Sequence, residues 1–173
     1  MKKIAVVLGS KNDMNTMTAC IDTLKKFGVE YEVRILSAHR TPMQALDFAK
    51  NARKNGFGAI IAAAGMAAHL GGVLASSTTL PVIAVPLSGG INDGIDALYA
   101  AVQMPRGVPV ACVAVGGAVN SALLAIQMLG IHDAELEAKL EAEKKEMEYE
   151  RWDVNSEKSR KLSFMYLFAC PGK

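Results

Sequence analysis

A three-layer α/β domain, with a parallel five-stranded sheet in the order 2-1-3-4-5 and a helix at the C-terminal end, is the fold this sequence predicts. Two observations carry it. Short apolar runs alternate five times with segments of helical spacing, which implies parallel strands joined by crossover helices. The second run alone mixes apolar with charged residues, which puts it at a sheet edge, and right-handed crossovers then leave few topologies. The pattern is flavodoxin-like in its strand order.

The elements follow in order. Ile4–Leu8 is almost wholly apolar and stops at Gly9, as a strand buried on both faces should. Met14, Met17, Cys20, Ile21 and Leu24 recur at helical spacing, and Gly28 supplies the stop. Val29, Tyr31, Val33 and Ile35 alternate with Glu30, Glu32 and Arg34, giving the edge strand. Thr41-Pro42-Met43-Gln44 starts a helix, with Thr41 as cap, Pro42 at the first helical position and Gln44 closing a capping box. That helix should run to about Asn55, ended by Gly56 and Gly58.

Ala59–Ala63 reads as the third strand, and Gly65 opens a loop and a small-residue helix reaching Leu74. Val82–Val85 is the fourth strand, closed by Pro86. Ile95, Leu98 and Val102 mark a helix that stops at Met104-Pro105. Val110–Val115 is the fifth strand, and Gly116-Gly117 leads into a helix over Asn120–Leu129. A charged helix, Ala134–Arg151, completes a single α/β domain over residues 1–151. Residues 152–173 form a tail with the apolar run Leu162–Phe168, which could dock on a neighbouring subunit or stay loosely ordered.

Composition limits the function classes. The chain has 173 residues, within the range of about 100–200 usual for one core. Aromatics make up 6%, so Ala, Val, Ile, Leu and Met must fill the interior. Basic side chains lead over residues 1–131, 11 against 7 acidic; acidic ones lead over 132–151, 8 against 4. No basic stripe with interleaved aromatics exists, which argues against nucleic acid as a partner. Cys20, Cys112 and Cys170 are far apart and odd in number, which fits a reducing cytoplasm better than a disulfide framework or zinc site. No run reaches the roughly 20 apolar residues of a membrane helix, and the N-terminal apolar run is too short for a signal peptide.

In a sheet of this kind ligands bind beyond the carboxyl ends of the strands. The unusual residues collect there, in Gly9–Asp13, Ser37–Thr41, Gly65–Gly72 and Ser88–Gly90. The Gly9 turn could offer backbone N–H groups to an anion, with Ser10 adding a hydroxyl and Asp13 accepting from a sugar diol. It could equally be a plain turn capped by Asn12 or Asp13. It is neither a dinucleotide fingerprint nor a P-loop. In Ser37-Ala38-His39-Arg40-Thr41-Pro42, Arg40 suits a phosphate. His39 is the acid–base candidate, because an unperturbed imidazole titrates near neutrality. His69 is a second titratable group or a hydrogen-bonded packing residue. His132 reads as a surface residue, and the three histidines show no metal-site spacing.

These loops occur in a recognisable order. Gly9-Ser10-Lys11-Asn12-Asp13, Ser37–Pro42, Ala67-Ala68-His69-Leu70, Val102–Val110 and Asn120–Ala125 together resemble the PurE family, N5-carboxyaminoimidazole ribonucleotide mutases of the class I type. The resemblance covers about residues 4–131. It implies conversion of N5-carboxyaminoimidazole ribonucleotide to 4-carboxy-5-aminoimidazole ribonucleotide in de novo purine biosynthesis, in a cytoplasmic homo-octamer. By the same resemblance Ser10, Ser37 and Arg40 hold the phosphate and Asp13 the ribose. His39 is the general acid–base and His69 orients the migrating carboxylate or CO2. Ala38, Gly65 and Leu70 complete the implied binding set. The reaction calls for no cofactor: neither ATP, metal nor nicotinamide.

The chain departs from that pattern twice. Gly65-Met66 stands where the family has Gly-Gly, and Gly71 stands where it has proline. Two other readings remain at this level: a carboxylase that takes free CO2, and a non-catalytic nucleotide-phosphate binding protein.

Overall fold

The structure, a computed structural model, describes residues 2–154. Five strands form one all-parallel sheet: β1 Lys3–Leu8, β2 Tyr31–Ile35, β3 Phe57–Gly65, β4 Val82–Leu87 and β5 Ala111–Cys112. Their order is β2-β1-β3-β4-β5, as the alternation predicts. The helices are α1 Met14–Lys26, α2 Pro42–Ala52, α3 Leu70–Ala75, α4 Ile95–Val102, α5 Ala118–Gly130 and α6 Ala134–Val154.

The core follows from strand composition. Ile4 to Leu8 of β1 and Ala59 to Ile61 of β3 are fully buried, and these stretches carry no polar side chain that would need a partner. On one face Ala5, Val7, Ile60, Ala62 and Val82 pack against Ala45, Ala49 and Ala52 of α2 and Leu70 and Leu74 of α3. Alanines on α2 let the helix lie close to the sheet. Toward the other face α1 packs on α5, and α5 covers β3 and β4. β2 is half-exposed, as an edge should be, and Glu32 pairs there with Lys3 Nζ at 3.1 Å.

Several boundaries differ from the sequence reading, each for a physical reason. Gly58 does not end a helix; it is the extra residue of a bulge in β3, where Lys3 pairs with Phe57 but Ile4 pairs with Ala59. A Cβ there would lie 2.4 Å from Leu129 Cδ2 and 2.9 Å from Lys2 Cβ, so packing against α5 demands glycine. α2 stops at Ala52, with Gly56 at φ 88 in the turn that follows. Thr41 precedes α2 and Pro42 opens it, but no capping box forms. The Thr41 hydroxyl instead accepts from Ser37 N–H at 2.8 Å and lies 3.2 Å from Ser37 O, closing the loop before the helix.

Pro86 lies inside β4, paired with Ala64 of β3, rather than ending the strand. Its missing N–H falls on the side facing β5, where its carbonyl accepts from Gly116 N–H at 2.8 Å. A strand with that gap beside it forms a short ladder. β5 is accordingly paired only at Ala111 and Cys112, although Val113 N–H still reaches Ala84 O at 3.2 Å.

The chain divides into two compact units, Met1–Leu136 and Glu137–Lys173. The first holds the sheet and α1–α5. In the second, the described residues continue the charged helix α6 to Val154. The apolar run Leu162–Phe168 lies outside the described residues. No described helix is long and apolar enough to cross a membrane.

Candidate active site

Strands β1, β2, β3 and β4 end on the same edge, and the loops that follow them surround a cleft of about 580 Å³. It is lined by Gly9, Ser10, Asn12 and Asp13 from the first loop and by Ser37 to Arg40 from the second. Ala64 to Ala67 and Leu70 come from the third, Ser88 and Gly89 from the fourth. The site is thus assembled from four chain segments that only a parallel sheet brings together.

The first loop is stiffened by reciprocal capping. Ser10, with extended backbone at φ −148, takes Asn12 N–H on its hydroxyl at 3.3 Å, and its own N–H donates to Asp13 Oδ2 at 2.8 Å. Ser10 thus caps the short 3-10 turn Lys11–Asp13, while Asp13 stands at the N-cap position of α1 with its carboxylate turned back to Ser10 rather than to the helix. Burial raises the Asp13 carboxyl above its ordinary range, opposed by the N–H groups of Ser10 and Gly9 and by the Arg40 charge. Asp13 sits in the cleft wall with one oxygen committed to this turn.

The second loop is organised by Ser37. Its hydroxyl faces His39 N–H at 3.4 Å, Arg40 N–H at 3.2 Å and Arg40 Nε–H at 3.4 Å. Arg40 Nη2 donates to Gly9 O at 2.9 Å, which ties the second loop to the first. Two of the five guanidinium donors are so used, and the cation stands where Ser10 and Ser37 also face the cleft.

Two histidines 30 residues apart in sequence meet at this edge. His39 Nε2 lies 2.9 Å from His69 Nδ1, with the rings edge-to-face at 84° and centroids 5.0 Å apart. One of the two nitrogens must carry the shared proton and the other must be a lone pair. His39 lines the cleft; His69 does not, and meets it through His39. The third loop sets His69 in place by two tight turns, Ala68 N–H to Met66 O and His69 N–H to Ala67 O, both 2.8 Å. Met66 adopts φ 53 to make them.

Of the residues singled out in the sequence, Ser10, Asp13, Ser37, Ala38, His39, Arg40, Gly65 and Leu70 all line the cleft. His132 lies apart from it, beside Lys2, Gly56 and Leu129. Asn12, Met66, Ser88 and Gly89 also line the cleft and were not in that set. The signal for Ser88 and Gly89 was the Ser-Gly-Gly turn after β4, which a plain turn would match as well. A Cβ at Gly65 would meet Leu87 O at 3.4 Å, an ordinary contact, so the fold by itself does not require glycine there. Among the described residues no three His, Cys, Asp or Glu side chains converge as metal ligands.

The comparisons with known proteins agree with this geometry. N5-carboxyaminoimidazole ribonucleotide mutase of Saccharolobus solfataricus is 54% identical over 140 residues, covering 81% of this chain and 89% of that protein. Phosphoribosylaminoimidazole carboxylase of Saccharomyces cerevisiae is 49% identical over 138 residues, 80% of this chain but 24% of that longer protein. The crystal structure of Treponema denticola PurE superposes with a TM-score of 0.81 at 27% identity, covering 88% of this chain and 96% of that one. The family model described as AIR carboxylase matches residues 3–150, so the sheet and the loops around the cleft fall within the match. By that match, and by relatives at this identity, the chain belongs to the AIR carboxylase family.

Proposed function

We propose that this chain is an N5-carboxyaminoimidazole ribonucleotide mutase, an isomerase that moves a carboxylate from the exocyclic amine of its substrate to ring carbon C4. The observation that carries this reading is the His39–His69 contact of 2.9 Å beside a cleft furnished with Ser10, Ser37 and Arg40. The identity to the Saccharolobus mutase supports it.

The reaction needs one proton given and one proton taken. Protonation of the exocyclic nitrogen lets the N–C bond break, releasing CO2 and the free amine. The amine feeds electron density to C4, which attacks CO2 and forms the C–C bond. Loss of the C4 proton restores aromaticity. His39 serves both proton steps, so the enzyme ends as it began. With Nε2 held by His69, Nδ1 is the remaining ring nitrogen of His39. A proton taken there is balanced by movement of another along the line to His69.

Binding is assigned by chemistry. The Arg40 cation with the hydroxyls of Ser10 and Ser37 takes the 5′-phosphate. The carboxylate of Asp13 accepts from the ribose hydroxyls. Gly65, Ala38 and Leu70 give a small and apolar wall to the flat imidazole. No step in this scheme calls for a cofactor.

The test is turnover of the N-carboxylated nucleotide by purified chain and by His39→Asn. Binding should survive in the variant while the rate falls about 10²–10⁴-fold. An unchanged rate removes His39 from the reaction. Unchanged binding with no activity in the parent chain would make it a nucleotide-phosphate binding protein instead.

A second reading, carboxylation of aminoimidazole ribonucleotide by free CO2, is favoured by the likeness to the yeast carboxylase. Each substrate offered alone separates the two. Turnover of aminoimidazole ribonucleotide with bicarbonate, and none of the N-carboxylated form, would select the carboxylase.

We also propose a cytoplasmic homo-octamer. Its support is an uncovered apolar face around α4, where Ile91, Ile95, Tyr99 and Val102 are exposed by 72, 38, 62 and 50%. Light scattering should give eight times the mass of one chain, and Tyr99→Glu should lower it. A parent chain of monomer mass overturns the assembly.

A further inference from the structure

Among the described residues three non-glycine positions have positive φ, and one of them, Met66 at φ 53, lines the cleft. An L side chain in that conformation crowds its own backbone, so glycine is the residue the turn itself favours. Burial does not compensate Met66, because it is 63% exposed. The backbone need explains the turn, which carries His69 to His39, but glycine would make the same turn with less strain. What methionine adds is a flexible apolar arm. Its apolar neighbours in the cleft wall are small apart from Leu70: Ala38, Ala64, Gly65 and Ala67.

The proposed reaction has one moment that such an arm would govern. Once the N–C bond breaks, CO2 is uncharged and offers no ion pair to Arg40 or His39. It is either captured by C4 or lost to solvent, and the ratio of the two rates depends on how far its exit is covered. We propose that Met66 is a specificity-determining residue that covers the cleft and retains CO2, so that carbon lost from nitrogen returns to the same nucleotide. The inference rests on the mutase reading above. It makes Met66 a difference between retention and exchange with dissolved CO2, not a participant in proton transfer.

The experiment runs unlabelled N-carboxylated nucleotide in ¹³C-bicarbonate with the parent chain and with Met66→Leu, Met66→Ala and Met66→Gly. It reads ¹³C in the new C4 carboxylate and free aminoimidazole ribonucleotide released per product, corrected with a reaction lacking enzyme. Leucine should behave as methionine does. Alanine and glycine should raise both readouts about fivefold or more, because confinement supplies the high effective concentration of CO2. The three substitutions span bulk, so one misfolded variant does not end the test. Label and release that stay level across folded Leu and Ala or Gly variants remove this inference alone. A parent chain that does not turn over the N-carboxylated nucleotide removes the mutase reading, and this inference with it.

Discussion

Gly94→Ala tests how tightly the fourth loop is built into the site. Gly94 has φ 104, and a Cβ there would lie 2.8 Å from Val115 Cγ1, 3.0 Å from Leu87 O and 3.2 Å from Ser88 Cα. The carbonyl and the α-carbon belong to backbone and cannot rotate away. The positive φ costs alanine about 1–2 kcal/mol, and forcing a methyl into occupied space adds about 1–3 kcal/mol. Loss of a flexible glycine from the unfolded chain returns about 0.4–1 kcal/mol. The net loss is therefore about 1–5 kcal/mol. Gly107 is the matched control, with φ 94 and nothing within 4 Å of an added Cβ, so only the conformational cost applies there. At about 2–4 °C per kcal/mol for a chain of this size, Gly94→Ala should melt roughly 2–20 °C lower than the parent, and in any case lower than Gly107→Ala, which should lose only a few degrees. Melting curves at one protein concentration measure both, since assembly would otherwise shift them. Ser88 lines the cleft, so a displaced backbone there should also lower kcat/KM roughly tenfold or more. Equal melting shifts for the two variants would refute the steric argument.

Other outcomes follow from the same geometry. Ser37→Ala removes the acceptor that faces three N–H groups at 3.2–3.4 Å, but these are long and solvent-exposed. It should therefore cost less than about 1 kcal/mol in denaturant unfolding while raising KM for the nucleotide several-fold; an unchanged KM would remove Ser37 from the phosphate site. Cys20 is fully buried, and burial pushes its thiol from 9.0 up to about 11, against a smaller opposing effect of the Ser121 hydroxyl. Above pH 9 the unfolded chain ionises this thiol and the folded chain does not, so stability should fall as pH rises to about 11, by roughly 1.4 kcal/mol per unit. Cys20→Ala should flatten that slope in urea unfolding, and a slope that stays as steep would assign it to other groups. Met66→Gly relieves about 1–2 kcal/mol of left-handed strain but gives the unfolded chain about 0.4–1 kcal/mol of freedom, so its melting point should match or slightly exceed the parent's.

Much of this architecture can be read from residue pattern because the sheet's burial is uneven. A strand covered on both faces must be apolar throughout, and Ile4–Leu8 is; an edge strand tolerates Glu32 and Arg34. The strand order follows from that contrast. The details that escaped are those in which a residue's usual role yields to a tertiary neighbour. Gly58 looks like a helix stop but serves as a bulge because Leu129 leaves no room for a Cβ. Thr41 looks like a helix cap but spends its hydroxyl on Ser37. Pro86 looks like a strand end but lies within the ladder. The cleft shows the same division. His39 and Arg40 stand out as chemistry-bearing residues at a strand end, whereas the bond from His39 to His69 spans 30 residues and exists only once β2 and β3 flank β1. The Ser88–Gly90 loop is legible as one of the strand-end loops, but its turn residues carry no mark of chemistry, so their place in the wall is seen only in the folded sheet.

Strain in this molecule is not spread at random. The three described non-glycine residues with positive φ are Met66, Asn92 and Asp93, and they lie in the loops after β3 and β4. Each costs free energy that the loop alone would relax away. The loops that hold these conformations spring from buried and paired strands. β3 and β4 are buried from Ala59 to Ala63 and from Val82 to Leu87, and they pair with each other over that length. The Asp96 carboxylate then accepts Ile91 N–H at 3.1 Å, and a Cβ on Gly90 would lie 2.2 Å from Asp96 Oδ2. That loop is held on both sides, by a rigid strand before it and by the first turn of α4 after it. The buried, paired strands β3 and β4 anchor the third and fourth loops, whereas the first two loops are tied by cleft side chains themselves, Asp13 to Ser10 N–H and Arg40 to Gly9 O.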